Sequence, residues 1–280
     1  MGPRLFALSL LAVIPVALAA CEPEPPKTAF GYTENAKRAY DVALALFDSH
    51  QWLDAQSAMR EVKRKYSYSK YARLAELRIA DADYAQDKFA EALHEYKDFV
   101  HAHRGDEEDV AYARSRIAEA TYAQIPESFL MPASEERDQG SVVDAYKELR
   151  SFLADYQTAK EAPRLRELLS QVVGRLIRHE LYVARFYASK ENYNAAVARI
   201  EYALHNYGDS APGGGGGVGG GLEDRSLEAD ALLLLGETYL RMHRWSDARQ
   251  AFEAILRKHP RTLIAVQARN YIEHMKERGA

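Results

Sequence analysis

Residues 229–260 read ADALLLLGETYLRMHRWSDARQAFEAILRKHP, and the pattern of side chains here is the strongest indication of the fold. Its apolar and small side chains recur at the spacing of one helix face, in two runs separated by a polar turn. Gly236 and Ala248 are small at the point where two antiparallel helices would cross. Pro260 would end the second helix, because proline lacks an N–H and clashes with the preceding turn. The side chains expected to fill the wedge toward the next hairpin are Tyr239, Trp245 and Phe252.

The order of residue types in this hairpin is that of the tetratricopeptide repeat. A single hairpin of this kind cannot bury its apolar face, so neighbouring units are expected. Residues 32–280 contain the same small-residue anchor five times, which predicts an all-α protein, a right-handed α-solenoid of about five tetratricopeptide-like hairpins. The anchoring alanines are Ala55, Ala92, Ala145, Ala196 and Ala248.

Three features depart from the repeat period. Residues 125–140 form an insertion that breaks the helical pattern with two prolines, and Ser141 and Asp144 after it have the spacing of a capping box that opens a new helix. Residues 165–189 are apolar at helical spacing throughout and predict one long helix. Residues 213–221 hold eight glycines and one valine, which predicts a disordered spacer at 212–222. A phosphate-binding loop is disfavoured there because no Gly-Lys-Ser/Thr ending follows.

The first twenty residues indicate a secretory signal, with a basic residue, an apolar core and a small-residue end. Leu18-Ala19-Ala20-Cys21 resembles the bacterial lipobox, which predicts a covalent lipid on Cys21 and no other cofactor; an ordinary cleaved signal is the alternative. An aspartate directly after the cysteine would indicate retention in the inner membrane. Glu22 occupies that position, so the outer membrane is favoured. Residues 21–31 are rich in proline and predict a short flexible tether.

Composition and motifs argue against several classes of function. The formal net charge is −4 at pH 7 without a basic block, so nucleic acid is not an expected partner. His101 and His103 lie near the acidic run 106–109, but no third ligand has helix spacing, and a solvated polar turn is the better interpretation than a metal site. No nucleophile elbow or apolar pocket around paired carboxylates is evident, so we predict no catalytic residue and no enzyme activity.

The lipobox, the proline tether and the repeats together resemble the outer-membrane β-barrel assembly lipoproteins, the D-subunit family of the barrel assembly machine. The resemblance covers about residues 33–260, and its sharpest parts are Tyr40-Asp-Val-Ala43, Tyr66-Ser-Tyr-Ser-Lys-Tyr71, Arg137-Asp138 and the segment Tyr193 to Glu201. Departures from the family pattern are the glycine run, the missing prolines after the first four repeats, and Lys190-Glu191-Asn192 in place of a glycine-containing turn.

The resemblance implies a non-catalytic scaffold on the periplasmic face of the outer membrane. Members bind unfolded outer-membrane proteins through their C-terminal segments, and they dock on the periplasmic domains of the barrel-forming insertase beside accessory lipoproteins. The alternative is another periplasmic tetratricopeptide lipoprotein that coordinates envelope constriction or peptidoglycan synthesis.

The family's functional residues can be placed on this sequence by position. The expected inner face of the first two repeats consists of Lys37, Tyr40, Leu44, Phe47, Leu77, Asp81 and Tyr84. The resemblance implies that Lys37, Tyr40, Phe47, Asp81 and Tyr84 bind the substrate peptide, with Lys37 near its carboxylate. Phe47 and Tyr84 could instead only pack between repeats.

Three further residues are implied in partner contacts. Arg199 falls where the family has an arginine that contacts the insertase. Arg137 and Asp138 would fix the insertion, or else form a local surface ion pair.

Overall fold

The computed structural model describes residues 29–127, 131–207 and 227–278. The predicted signal peptide at 1–20, the lipidation site Cys21 and the glycine-rich spacer at 212–222 lie outside the described residues. The described residues contain eleven α-helices and no strand. The helices are α1 (Ala29–Asp48), α2 (Trp52–Lys65), α3 (Lys70–Ala85), α4 (Phe89–Ala102), α5 (Glu107–Ala123), α6 (Gly140–Asp155), α7 (Ala162–Ser189), α8 (Tyr193–Tyr207), α9 (Leu227–Arg241), α10 (Trp245–Lys258) and α11 (Leu263–Glu277).

The helices form a linear stack of hairpins. Each helix packs mainly against its neighbours along the chain, and α1, α3, α5, α7 and α9 are the first helices of five successive hairpins. Contacts between sequential elements are the hallmark of a repeat array. The predicted all-α solenoid of tetratricopeptide hairpins is therefore confirmed. Helix α1 begins earlier than predicted. Residues 29–31, which were expected to be part of the tether, already belong to it.

Four hairpin turns share one backbone conformation. The second residue after the first helix has a positive φ of 62° at His50, 59° at Asp87, 59° at Glu191 and 58° at His243. This left-handed region favours glycine, and other residues adopt it at a cost of order 1 kcal/mol. The repeated conformation shows that these turns are equivalent, although none of them contains the glycine that the repeat usually carries there.

The predicted long helix is confirmed as α7, which has 28 residues. The insertion before α6 contains a 3₁₀ turn at Ser134–Glu136 that packs against α7.

The predicted capping box at the start of α6 is wrong. Helix α6 already begins at Gly140, whose N–H donates to Asp138 Oδ2 at 3.0 Å, while Asp144 forms an ion pair with Lys147 at 3.1 Å. An acidic side chain two residues before the helix therefore takes the place of the expected serine cap.

The final hairpin shows why Gly236 must be small. A Cβ atom added to Gly236 would lie within 2.8 Å of Cε1, Cζ and Cδ1 of Phe252, whose side chain is fully buried. The close approach is thus between a helix backbone and an aromatic ring. Tyr239 is also buried, as predicted, but Trp245 is partly exposed and contacts His243 at 5.6 Å between ring centroids. Trp245 therefore does not fill the wedge, because it opens α10 at the rim of the turn.

Helix α11 covers the end of the array, and no hairpin was predicted there. Thr262 caps it by accepting from the N–H of Ala265 at 3.2 Å. Tyr271 stacks on Phe252 with 4.9 Å between ring centroids and 4° between ring planes. The side chains that α11 buries are Ile264, Ala265, Ala268, Ile272 and Met275. The helix therefore closes a hydrophobic surface that the last hairpin would otherwise expose.

Candidate functional site

A buried carboxylate lies on the expected inner face of the first two repeats. Asp81 on α3 is 4% exposed. It accepts hydrogen bonds from the hydroxyls of Tyr96 and Tyr112, the latter at 2.9 Å, and forms an ion pair with Arg78. Arg116 Nε lies 3.7 Å from its other side. The carboxylate is thus surrounded by donors from α3, α4 and α5.

Asp81 is thus closed to direct contact with a peptide in this structure, because side chains of α5 in the third hairpin cover this face of α3. Leu77 on the same face is buried in the same way, at 3% exposed. Burial, followed by the charge of Asp81, raises the pKa of both Tyr96 and Tyr112, so both phenols remain protonated donors. A buried charge is stable only when paired and hydrogen-bonded, and this network meets that condition. These partners of Asp81 were not among the predicted site residues, although Tyr112 and Arg116 have the four-residue spacing of one helix face.

Tyr84 and Phe47 are half-buried and have aromatic or cationic neighbours. The guanidinium of Arg116 lies 3.9 Å from the ring centroid of Tyr84, within the range of a cation–π interaction. The ring of Phe47 meets that of Trp52 edge-to-face at 5.1 Å between centroids. Both residues therefore pack between helices while keeping part of their surface open. A role in peptide binding stays a prediction for each.

The other two predicted peptide contacts on α1 differ in exposure. Tyr40 is 7% exposed and packs against Tyr71 with 5.7 Å between ring centroids, so it offers almost no surface for direct contact with a peptide. Lys37 is exposed, and its Nζ lies 2.6 Å from Oδ2 of Asp41. The hydrogen bond with Asp41 raises the pKa of Lys37, so the ammonium group stays charged. Leu44, on the same face, is half-buried.

The insertion is held by backbone contacts. Arg137 Nη1 donates to the carbonyl oxygen of Pro126 at 2.7 Å, and Gln139 Nε2 donates to the carbonyl oxygens of Ser134 and Arg137 at 2.8 and 2.7 Å. Asp138 accepts from the first N–H of α6. Within the described residues no ion pair joins Arg137 to Asp138. Their contacts are those expected of residues that fix the insertion, and partner binding by either stays a prediction.

Arg199 lies on α8, and its side chain is 45% exposed. Its Nη1 is 3.2 Å from Oε2 of Glu180 on α7, which is nearly buried. Two residues further along α8, Glu201 accepts from the hydroxyl of Tyr239 on α9 at 2.8 Å. Burial and this hydrogen bond raise the pKa of Tyr239 to about 12. Arg199 is therefore held by one carboxylate while its guanidinium remains partly open to a partner.

The histidine pair is not brought together with the acidic run. His103 Nε2 lies 2.9 Å from Oε2 of Glu76 on α3, whereas His101 is exposed. Among the described residues, no three histidine, cysteine or acidic side chains are grouped so that they could hold a metal ion. Across the same residues, every helix is too short or too polar to cross a membrane.

Comparisons with known proteins agree with the repeat architecture. A family model described as outer membrane lipoprotein (YfiO) matches residues 33–212, and a tetratricopeptide-repeat model matches residues 230–262. The outer membrane protein assembly factor BamD of Caulobacter vibrioides is 25% identical over 203 residues, which are 72% of this chain and 64% of that protein. BamD of Xylella fastidiosa is 21% identical over 261 residues, 90% of this chain and 83% of that protein. The chain thus spans less than two thirds of the Caulobacter relative.

Solved structures with similar helices share little sequence with the chain. A tetratricopeptide protein of Thermus thermophilus, TTC0263, has 16% identity and a TM-score of 0.35, covering 85% of this chain and 98% of its own. The TPR2AB domain of yeast Sti1 has 12% identity and a TM-score of 0.42, covering 87% and 86%. These similarities add nothing to the assignment, which rests on the two family models and the observed hairpins. Because the first model spans well over half of the sequence, the chain belongs to the outer membrane lipoprotein family YfiO.

Proposed function

We propose that this chain is a non-catalytic scaffold in the assembly of outer-membrane β-barrel proteins, tethered to the periplasmic face of that membrane through a lipid on Cys21. The observation that carries the proposal is the family match over the first four hairpins. The name of the relatives, outer membrane protein assembly factor, supports the same role. A stack of hairpins is suited to such work, because it presents an extended surface to several partners at once.

The first two hairpins are the proposed site for a segment of an unfolded outer-membrane protein. Lys37 offers a charged ammonium to the carboxylate that ends such a segment. Phe47 and Tyr84 offer partly open aromatic surface at a low cost in side-chain entropy. Tyr40 and Asp81 take part indirectly, because their buried contacts fix the helices that carry these side chains. Reversible capture of a client requires weak binding, and we expect micromolar affinity, about −8 kcal/mol.

Two charge reversals on α1 test the peptide site. Lys37 and Arg38 are adjacent, exposed, and each pairs with a carboxylate four residues away at 2.6 Å. K37E and R38E therefore change the net charge equally and each break one surface ion pair. We expect K37E to weaken the binding of a C-terminal outer-membrane protein peptide about 10-fold, or about 1.4 kcal/mol, and R38E to change it less than about 2-fold. Equal losses in the two variants would rule out a specific role for Lys37.

The proposed docking site for the barrel-forming insertase lies on α8, where Arg199 keeps an open guanidinium. Accessory lipoproteins of the same machine are further proposed partners. Purification of the chain from gently solubilised envelopes should recover a large barrel protein with periplasmic domains, and R199E should reduce that recovery. Recovery of cell-wall enzymes alone would favour the alternative role in envelope constriction or peptidoglycan synthesis.

A further inference from the structure

A cavity of about 900 Å³ opens between the insertion and the middle of α7. Its walls come from the end of α5, from the insertion, and from α7 between residues 170 and 178. The volume is within the range of sites that hold small molecules or short peptide segments. The lining combines apolar side chains such as Ile125, Pro132 and Val172 with polar groups such as Ser134 and Gln171.

Positive charge predominates in this cavity. Three arginines line it, namely Arg137, Arg175 and Arg178, against a single acidic side chain, Glu127. Arg175 is 12% exposed and lies 3.1 Å from Glu127, whose own side chain is 71% exposed. Glu127 therefore neutralises one arginine from the solvent side and leaves the other two charges unbalanced within the lining.

Arg137 and Arg178 both keep N–H donors that no described residue uses. The Nε–H of Arg137 is buried and has no hydrogen-bond partner among the described residues. Arg178 is exposed and forms no ion pair with another described residue. Glu135 lies close to both arginines but outside the lining. Its carboxylate already accepts from the Ser134 hydroxyl at 2.8 Å, and its pKa is lowered, first by a backbone hydrogen bond and then by that hydroxyl.

We propose that this cavity binds a carboxylate carried by a peptide segment of a partner protein, with Arg137 and Arg178 as the groups that hold it. Guanidinium groups match a carboxylate through paired N–H donors, and an oxygen near Arg137 would satisfy its buried Nε–H. The mixed apolar and hydrogen-bonding walls suit the backbone and small side chains of a peptide better than a bare inorganic anion. This site lies outside the first two hairpins, and the proposal does not depend on the peptide site proposed there.

Binding of three N-acetylated tetrapeptides to the full chain in detergent tests the proposal by calorimetry. The probes are Gly-Ser-Ala-Ala with a free C-terminal carboxylate, the same peptide as its amide, and Gly-Glu-Ala-Ala as its amide. We expect at least one carboxylate-bearing probe to bind about 10-fold more tightly than the neutral amide, and added salt to weaken it. Preference for the first probe identifies the ligand as a chain end, and preference for the third identifies an acidic side chain.

Two arginine substitutions on the same helix make the test specific. Arg178 lines the cavity, whereas Arg185 lies two turns further along α7, is also exposed, and does not line it. R178Q should weaken the carboxylate-bearing probe about 10-fold, and R185Q should leave its affinity within about 2-fold of the wild-type value. Equal affinity for all three probes, equal losses in the two variants, or saturable binding of inorganic phosphate without binding of either carboxylate would overturn the proposal.

Discussion

Replacing Asp81 by asparagine should destabilise the junction between the second and third hairpins. The substitution keeps the size of the side chain but removes the charge that faces Arg78 and Arg116 and one acceptor for the two tyrosine hydroxyls. Breaking a buried ion pair from one side costs about 3–5 kcal/mol.

The cost here should lie below that range. The side chains of Arg78 and Arg116 are 33% and 21% exposed, so water compensates part of the lost interaction. Arg116 also keeps its ion pair with Glu119. We therefore expect D81N to lower the free energy of unfolding by about 2–3 kcal/mol.

Urea unfolding followed by far-ultraviolet circular dichroism measures this change, and hydrogen exchange of the α3 and α5 amides shows where it acts. Asp83 supplies a matched control, because it lies on the same helix, is 7% exposed, and has Lys88 Nζ at 3.7 Å as its ion-pair partner. D83N should cost less than about 1 kcal/mol. If D81N and D83N unfold at the same urea concentration, the Asp81 network does not hold the two hairpins together.

Two further predictions concern packing and pH. G236A should lower the free energy of unfolding by up to about 2 kcal/mol, since overpacking against the Phe252 ring costs about 1–3 kcal/mol and helix propensity returns about 1 kcal/mol. G105A, with no atom within 4 Å of the new Cβ, is the control for urea unfolding, and equal midpoints would contradict the clash. Burial, and then the charge of Asp83, raises the pKa of the Glu95 carboxyl, so the folded state binds its proton more tightly than the unfolded state and loses stability as pH rises through that pKa. E95Q should therefore raise the midpoint of urea unfolding at neutral pH, and this gain should disappear at a pH below the usual pKa of a carboxyl group. If the gain is the same at every pH, the ionisation of Glu95 is not its cause.

The local pattern of the chain was sufficient to predict its hairpins. Small residues at the crossing points, such as Ala248 and Gly236, are required wherever two helices pack closely, so they indicate each unit without knowledge of its neighbours. Helix α7 could also be predicted from its local pattern, because its apolar period continues without a break. Helix α11 also has an apolar period from Ile264 to Met275. It lies beyond the proline that ends the repeat pattern, so the repeat pattern alone does not predict it.

Predictions that depend on contacts between hairpins were less reliable. Periodicity shows that Tyr40 and Asp81 lie on one face of their helices, but it does not show whether the next hairpin covers that face. In both cases it does, so little of either side chain is left for a peptide to contact. The capping box failed for a related reason, since Asp138 competes for the start of α6 and no property of Ser141 alone reveals this competition.

The division of the hydrophobic core gives the two ends of the stack different mechanical characters. One continuous core joins the end of α5 to α11, with α7 running through it, whereas the first two hairpins rest on separate, smaller cores. In a linear array, strain spreads only as far as neighbouring units are coupled. We expect the C-terminal half to resist bending and the first two hairpins to be the more flexible part, so that these hairpins can shift without deforming the rest of the stack.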